Sequence, residues 1–388
     1  MMLFRNYSVL TCVLFLLSST FPSVVQSQIP LNNQNTIRFI GDIRTGYIGF
    51  IGEQRNGEKL SQHEFRNRAR IGLEFQLTEN IVFNTRYAAR ISSLDFHFDP
   101  GIHTSASGNN GLLMGEGAFD QFFVLMRISD KLSVKAGRFQ TSFTLDGNIK
   151  NSVMRQDSPN TDIGWTDGLH ISAKPTARWT TDLIIQGHFN NAPTNVFRSP
   201  LAPSDSDTPV TLFFNIKKGM NTGLLSSVAL SATYSPDALI MYPDGRRSSY
   251  FAASIKPQFQ KQFDSGRQVL LGTEIAYSFN LPERSLFGFT RSPESAAGGF
   301  GFQAVLTVME LFKNQHIGVM AAMLQPSLLT SSAFWNNLLL FEVRHSMRFS
   351  RKLTSDFRLR YRADLEILNP ELNRRWQLYP FARLTYNF

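Results

Sequence analysis

Arg375-Trp-Gln-Leu-Tyr-Pro-Phe-Ala-Arg-Leu-Thr-Tyr-Asn-Phe388 ends the chain on an aromatic residue. Counted back from Phe388, every second residue (Tyr386, Leu384, Ala382, Pro380, Leu378, Trp376) is apolar or amphipathic. The other register, Asn387, Thr385, Arg383, Phe381, Tyr379, Gln377 and Arg375, is mostly polar. Side chains on a strand alternate between faces, so the segment predicts a strand with one apolar and one wet side. Left as a free edge, such a strand would offer unpaired backbone groups to any passing chain. Pairing with the first strand closes a barrel and removes the edge, so an all-β closed barrel is the expectation.

A final strand that ends in Phe after alternating aliphatic and aromatic residues resembles the C-terminal signature of bacterial outer-membrane β-barrels. The resemblance implies a transmembrane antiparallel barrel. The other end of the chain agrees. Residues 1–27 read as a signal peptide, with Arg5 the only charge, 9–17 nearly all apolar, and Val25-Gln26-Ser27 at a plausible cleavage point. That apolar core is too short to cross a bilayer of roughly 30 Å as a helix. Cys12, the only cysteine, lies inside it, so the mature protein is expected to hold no disulfide and no Cys-based metal site. Residues 28–35 then form a short periplasmic leader and 36–388 the barrel.

Composition fits a chain that hides its hydrophobicity in half of each strand. Hydrophobic residues make up 42% of the chain, with 34 Phe, 10 Tyr and 4 Trp, yet mean hydropathy is −0.16. No run after the signal approaches the roughly 18 apolar residues of a membrane helix. The net charge is +9. Export and the lack of a basic–aromatic cluster or basic helix argue against a nucleic-acid partner.

Alternation continues along the chain. In 63–76, Phe65, Ala69, Ile71, Leu73 and Phe75 oppose Arg66, Arg68, Arg70, Gly72, Glu74 and Gln76. After the turn 77–80, Ile81, Phe83, Thr85, Tyr87, Ala89 and Ile91 oppose Asn84, Arg86, Ala88, Arg90 and Ser92, which makes a hairpin of two-faced strands. Starting from 36–49, about 16 such segments are legible, an even number within the usual bacterial range. The weakest are 209–216 and 224–234. Long connections at 93–117, 141–164, 190–208 and 281–297 all carry odd numbers, while even-numbered ones are mostly a few residues. A barrel with long extracellular loops and short periplasmic turns sorts its connections this way. A soluble sandwich or propeller does not.

The chemistry sits on the inward register. On 356–367, Phe357, Leu359, Tyr361, Ala363, Leu365 and Ile367 claim the lipid side, which sends Arg358, Arg360, Arg362, Asp364 and Glu366 inward. Arg344, Arg348 and Glu342 follow from the strand before, and Arg383 from the strand after. Closure brings these beside Arg38, Arg66, Arg68, Arg70, Arg86 and Arg90, so six consecutive strands build one basic wall. An arginine on the lipid face at mid-depth costs roughly 2–4 kcal/mol, which supports the same assignment. Acids on this wall are about half as numerous, and surplus guanidinium groups around a constriction favour anions.

This basic ladder beside the closure seam, facing a long fifth connection, resembles the architecture of 16-stranded bacterial porins. Leu132-Ser-Val-Lys-Ala-Gly-Arg-Phe-Gln140 is similar to the Gly-Arg strand end of the phosphate-selective O/P group. The resemblance implies that 141–164 folds into the lumen as a constriction loop, with Asp146, Asp157 and Asp162 opposing the basic wall. It also implies a homotrimer. The lysines Lys135, Lys150, Lys217 and Lys218 are scattered, so the expectation is a general pore for small hydrophilic solutes that favours anions. No cofactor motif or metal-ligand spacing is present. Two alternatives stand beside the pore. His170 and Ser172 share a strand face, which resembles the outer-membrane phospholipase, and a non-conducting adhesin or receptor barrel has the same outline.

Overall fold

The computed structural model describes residues 28–30, 36–92, 118–146, 152–155, 164–188, 198–220, 223–330 and 334–388. The expected signal peptide, Asp157 and Asp162 lie outside the described residues. A three-residue fragment, β1 (Gln28–Pro30), precedes the long strands. The first half comprises β2 (Thr36–Glu53), β3 (Lys59–Thr78), β4 (Ile81–Ser92), β5 (Ala118–Ser129), β6 (Leu132–Phe139), β7 (Thr166–Thr176), β8 (Trp179–Gly187) and β9 (Val210–Gly219). The second comprises β10 (Leu225–Ile240), β11 (Arg247–Gln262), β12 (Gln268–Ser278), β13 (Phe300–Phe312), β14 (Gln315–Leu324), β15 (Leu338–Arg348), β16 (Leu353–Asp364) and β17 (Trp376–Asn387). Each pairs antiparallel with the next, and β17 pairs with β2 from Trp376↔Glu53 to Asn387↔Asp42. The result is a closed antiparallel barrel of the strands β2 to β17. Among the described residues the helical content is two 3-10 turns, Pro203–Asp205 and Arg284–Phe287.

Closure depends on small residues at the seam. Phe388 exchanges both backbone hydrogen bonds with Gly41, at 3.2 Å each, and its ring lies over the glycine. Farther up, Gly49 leaves room for the Pro380 ring, and the β17–β2 register skips Tyr379 and Pro380, where the imino acid has no N–H to donate. β1 covers the part of the β2 edge that β17 does not reach, pairing Gln28↔Arg38, Ile29↔Ile37 and Pro30↔Thr36.

These glycines explain where the sequence reading fell short. The sequence reading ends the first strand at Gly49 and begins the next at His63, but β2 runs on to Glu53 and β3 begins at Lys59. A Cβ on Gly52 would sit 2.2 Å from the Trp376 carbonyl oxygen, so this glycine permits close strand approach. The first connection therefore shrinks to 54–58. In the weak region, β10 extends past a bulge at Ser235/Leu239, where Asp237 takes a positive φ of 45°. The even-numbered connections 79–80, 130–131, 177–178, 220–224, 263–267, 313–314 and 349–352 are all short. Of the odd ones, 54–58 and 241–246 are short as well.

Exposure separates the two faces. On β16, Phe357 and Leu359 are 50% and 49% exposed, whereas Arg358 and Arg360, which alternate with them, are 8% and 3% exposed. Phe65, Ile71, Phe122, Ile128, Leu230, Phe341 and Val343 join an exposed apolar belt around the outside. A belt of this extent suits hydrocarbon rather than water, and the barrel is a transmembrane one.

The seam predicts its own weak point. In Gly41→Val a Cβ would meet the Arg70 carbonyl oxygen at 2.2 Å and the Phe388 ring at 2.5 Å. Overpacking of this kind costs about 1–3 kcal/mol. The variant is expected to lose its folded, fast-migrating band at a lower temperature in a heat-modifiability gel. An unchanged midpoint would show that both the Phe388 ring and the β3 backbone at Arg70 give way freely.

Candidate functional site

Inside the barrel, two unlike surfaces face each other. β15, β16, β17, β2, β3 and β4 carry the basic wall. Arg38 pairs with Glu74 at 2.8 Å, and Arg66 with Glu64 at 2.6 Å. Arg68 and Arg70 both bind Asp42, Arg68 at 2.8 Å. Arg86 donates two bonds to Asp120, at 2.9 and 2.8 Å, and Arg70 Nη1 reaches the same carboxylate at 3.3 Å. Arg344 and Arg360 share Glu342, Arg344 at 3.0 Å, and Arg383 binds Asp356. Arg358 and Arg383 lie over Phe381, with Arg358 4.7 Å from the ring centre, and Arg362 sits 5.0 Å from Trp335.

The structure thus gathers most of the expected arginines and adds members the sequence reading missed. Asp42 and Arg44 share the inward face of β2, Asp120 is fully buried on β5, and Asp356 faces inward from β16. The two-residue alternation of β2 is the signal that would have placed Asp42 and Arg44. Arg348 stands exposed near the short turn 349–352, apart from the cluster. The Arg90 side chain lies outside the described residues. At Asp42, Asp120 and Glu342 wall arginines therefore share an acid rather than pairing one to one. Three registers go further and set arginine directly opposite arginine, Arg44↔Arg68, Arg68↔Arg90 and Arg344↔Arg358. Like charges directly opposite across strands are destabilising.

The opposite side of the lumen is filled by connections that fold inward. Residues 141–146 run down to β11 and β12, where Leu145 packs against Gly272 and the Asp146 N–H donates to Gln258 Oε1 at 2.6 Å. Ser152 and Val153 are tied to Glu274: the Ser152 hydroxyl donates at 3.2 Å and the Val153 N–H at 2.9 Å. Glu274 also meets Lys256 Nζ at 3.4 Å, and Lys256 donates to the Phe143 carbonyl oxygen at 2.9 Å. Arg155 clamps the outgoing end, donating to Gln186 Oε1 at 2.9 Å, Thr141 Oγ1 at 3.1 Å and Thr166 Oγ1. The connection 325–337 also enters, and Thr330 Oγ1 donates to the Val153 carbonyl oxygen at 3.2 Å. Leu145, Val153, Met154, Leu201, Leu328, Leu329 and Phe334 build an apolar core against the inner wall. Asp146 lies on this side, across from the seam, with its carboxylate 55% exposed and 3.4 Å from Lys217. None of these anchors was legible in the sequence, because each joins residues far apart in the chain.

His170 and Ser172 do point into the lumen, Leu169 being exposed outside. However, His170 Nε2 meets Asp182 Oδ1 at 3.0 Å, and Ser172 also hydrogen-bonds Asp182. The carboxylate sits between the imidazole and the hydroxyl, so the arrangement gives Ser172 no imidazole base. Among the described residues no group of three His, Cys, Asp or Glu side chains is placed to hold a metal ion.

Comparison with solved structures shows the same fold in bacterial channels. OprB of Pseudomonas putida at high pH superposes with a TM-score of 0.60 at 15% identity, over 91% of this chain and 94% of that one. The outer membrane channel DcaP of Acinetobacter baumannii gives 0.56 at 9% identity, over 93% and 100%. A BenF-like porin of Pseudomonas fluorescens Pf-5 gives 0.54 at 10% identity, over 90% and 98%. No protein-family model matches the chain, and no curated protein matches it by sequence.

The anchor at Glu274 can be broken singly. Glu274→Ala leaves Lys256 buried without its carboxylate, a change that costs about 3–5 kcal/mol, and releases the Val153 N–H. New protease cleavage within 141–155 is expected in a barrel that remains heat-modifiable. Unchanged cleavage would show that the segment is held by its apolar contacts alone.

Proposed function

We propose that this protein is an outer-membrane porin, a channel through which small hydrophilic solutes diffuse passively, with anions favoured. The barrel fold shared with known channels supports the pore, and the wall supports the selectivity. The observation that carries the anion preference is the placement of Arg44 opposite Arg68 and Arg344 opposite Arg358 on the inward face. A wall built only to solvate a barrel interior would set acids at those positions. Arginines crowded side by side around shared acids in a partly dehydrated passage are instead a standing attraction for an anion.

The wall and the infolded segments 141–146 and 152–155 form the constriction of this channel. Arg358 and Arg360 are nearly covered, so a passing solute meets the wall chiefly at more open guanidinium groups such as Arg44 and Arg66, and the covered ones act on it through their field. On this reading the rim bearing the long connections is extracellular and the short turns are periplasmic. Residues 1–27 direct export to the bacterial outer membrane. Assembly as a homotrimer rests on the resemblance to porins alone.

Planar-bilayer recordings under a salt gradient measure this preference. The wild-type reversal potential is expected on the anion side, strongest at low salt because screening length falls from about 30 Å at 0.01 M to about 3 Å at 1 M. Arg358/Arg360/Arg362→Ala is expected to move it towards cations. A folded barrel that conducts without anion preference would reduce the wall to a structural lining. A barrel without conductance would remove the channel.

A further inference from the structure

The two rims of the barrel balance their charges differently. At the rim of the long connections several guanidinium groups are neutralised in place. Arg246 meets Asp244, Arg284 meets Glu366 and Arg55 meets Asp364, each at 2.7 Å. The rim of short turns is built otherwise. Six of its seven connections carry a lysine or arginine or closely follow one: Lys131, Arg178, Lys218, Arg267, Lys313 and Arg351. The acids of the same connections are Glu79, Asp130 and Asp264. Among the described residues none of the six cations forms an ion pair with an acid.

These cations stand where the apolar outer face ends. Lys218 and Lys261 lie on the outward registers of β9 and β11. Lys218 Nζ is 5.1 Å from the centre of the Trp179 ring, and Lys261 Nζ is 5.2 Å from that of Phe263. Phe312 and Phe349 are exposed beside Lys313 and Arg351. Aromatic rings in such positions settle at the headgroup level of a bilayer. A lysine beside them keeps its stem on apolar surface while its ammonium reaches the polar layer. Hairpins repeat every two strands, roughly 10 Å, so the cations form a ring of separate points and not a patch. From the turn 130–131 to the turn 349–352 the ring runs past β6 to β15, roughly 50 Å of rim.

We propose that the rim of short turns binds anionic phospholipids of the adjoining leaflet, each cation or close pair of cations meeting the phosphate of one headgroup. The charge that complements this rim is spread over a plane, as it is in a lipid surface. A soluble acidic partner covers roughly 800 Å² of one face and would reach only a few members of the ring. It would also leave Trp179, Phe312 and Phe349 without a use. On the orientation given above, the leaflet is the periplasmic one. The surface rests on the transmembrane barrel and requires no open pore, so it stands apart from the channel reading.

Two native tryptophans report on the two rims. Trp179 lies outward at the short turns, and Trp376 lies outward at the opposite end, paired across the seam with Glu53. The full barrel is placed in phosphatidylcholine vesicles containing the same fraction of either dibrominated phosphatidylglycerol or dibrominated phosphatidylcholine. Bromine quenches nearby tryptophan, and each signal is isolated as the difference from Trp179→Phe or Trp376→Phe. At about 0.01 M salt the anionic lipid is expected to occupy the Trp179 site at least threefold more strongly than the zwitterionic one, with no such preference at Trp376. The preference is expected to shrink at about 1 M salt. Lys174→Gln/Arg178→Gln/Lys218→Gln is expected to abolish it, and Arg246→Gln to leave it intact. Equal occupancy by the two lipids at Trp179, equal preference at the two rims, or a preference that survives the triple substitution would overturn the proposal. Polyglutamate binding to the detergent-solubilised barrel without any lipid preference would overturn it in favour of a soluble acidic partner. The comparison of rims alters no basic residue, so it decides the matter even if the triple variant does not fold. Bilayer current from the same preparation separates the two readings: lipid preference without current keeps the surface and removes the channel, and current without preference does the reverse.

Discussion

The structure depends on one exclusion: a guanidinium group does not belong on the hydrocarbon-facing side of a strand. At mid-depth it would cost about 2–4 kcal/mol there, more than most single contacts contribute. Strand alternation turns this exclusion into geometry. Once Phe357, Leu359 and Tyr361 take the outer face of β16, Arg358, Arg360 and Arg362 have only the lumen left. The same rule on β15, β17, β2, β3 and β4 concentrates charge on one arc of the interior. Closure between Asn387 and Asp42 makes that arc continuous.

Concentrated charge must then be made tolerable. Asp42, Asp120 and Glu342 are buried and Asp356 is partly buried, each among two or more arginines that it holds in place. Sharing leaves net positive charge, and aromatic faces at Phe381, Tyr379 and Trp335 take up part of the contact. Across the barrel the logic is reversed. There the infolded connections bring Leu145, Val153 and Leu328 into the lumen, and a few buried polar groups, Glu274, Lys256 and Arg155, fix their position. The lumen lies between a charged surface and a packed one.

How far this was legible in the sequence follows from the range of each interaction. The alternation of 353–367 and 375–388 is local, so the barrel, its faces and the inward arginines could be read directly. The seam glycines misled, because Gly49 and Gly52 are required by the approach of β17, more than three hundred residues later in the chain. Asp42 and Asp120 were passed over because the outer registers of β2 and β5 are interrupted by Gly41, Gly49 and a shift near Arg86/Tyr87. The Glu274 anchor is a product of tertiary contact between residues distant in the chain and leaves no local trace.

The central claim is that a water-filled route passes along the arginine wall and draws anions to it. Tyr379 sits on that route between Arg360 and Arg362, and Cys12 is the only native cysteine. The direct measurement is the modification rate of Tyr379→Cys, with Cys12→Ser, by anionic and cationic methanethiosulfonates of similar size, each normalised to a free thiol in solution. The account predicts that the anionic reagent reacts at least tenfold faster and that the difference shrinks in high salt. A faster cationic reagent, or a thiol that neither reagent reaches in the folded barrel, would contradict it.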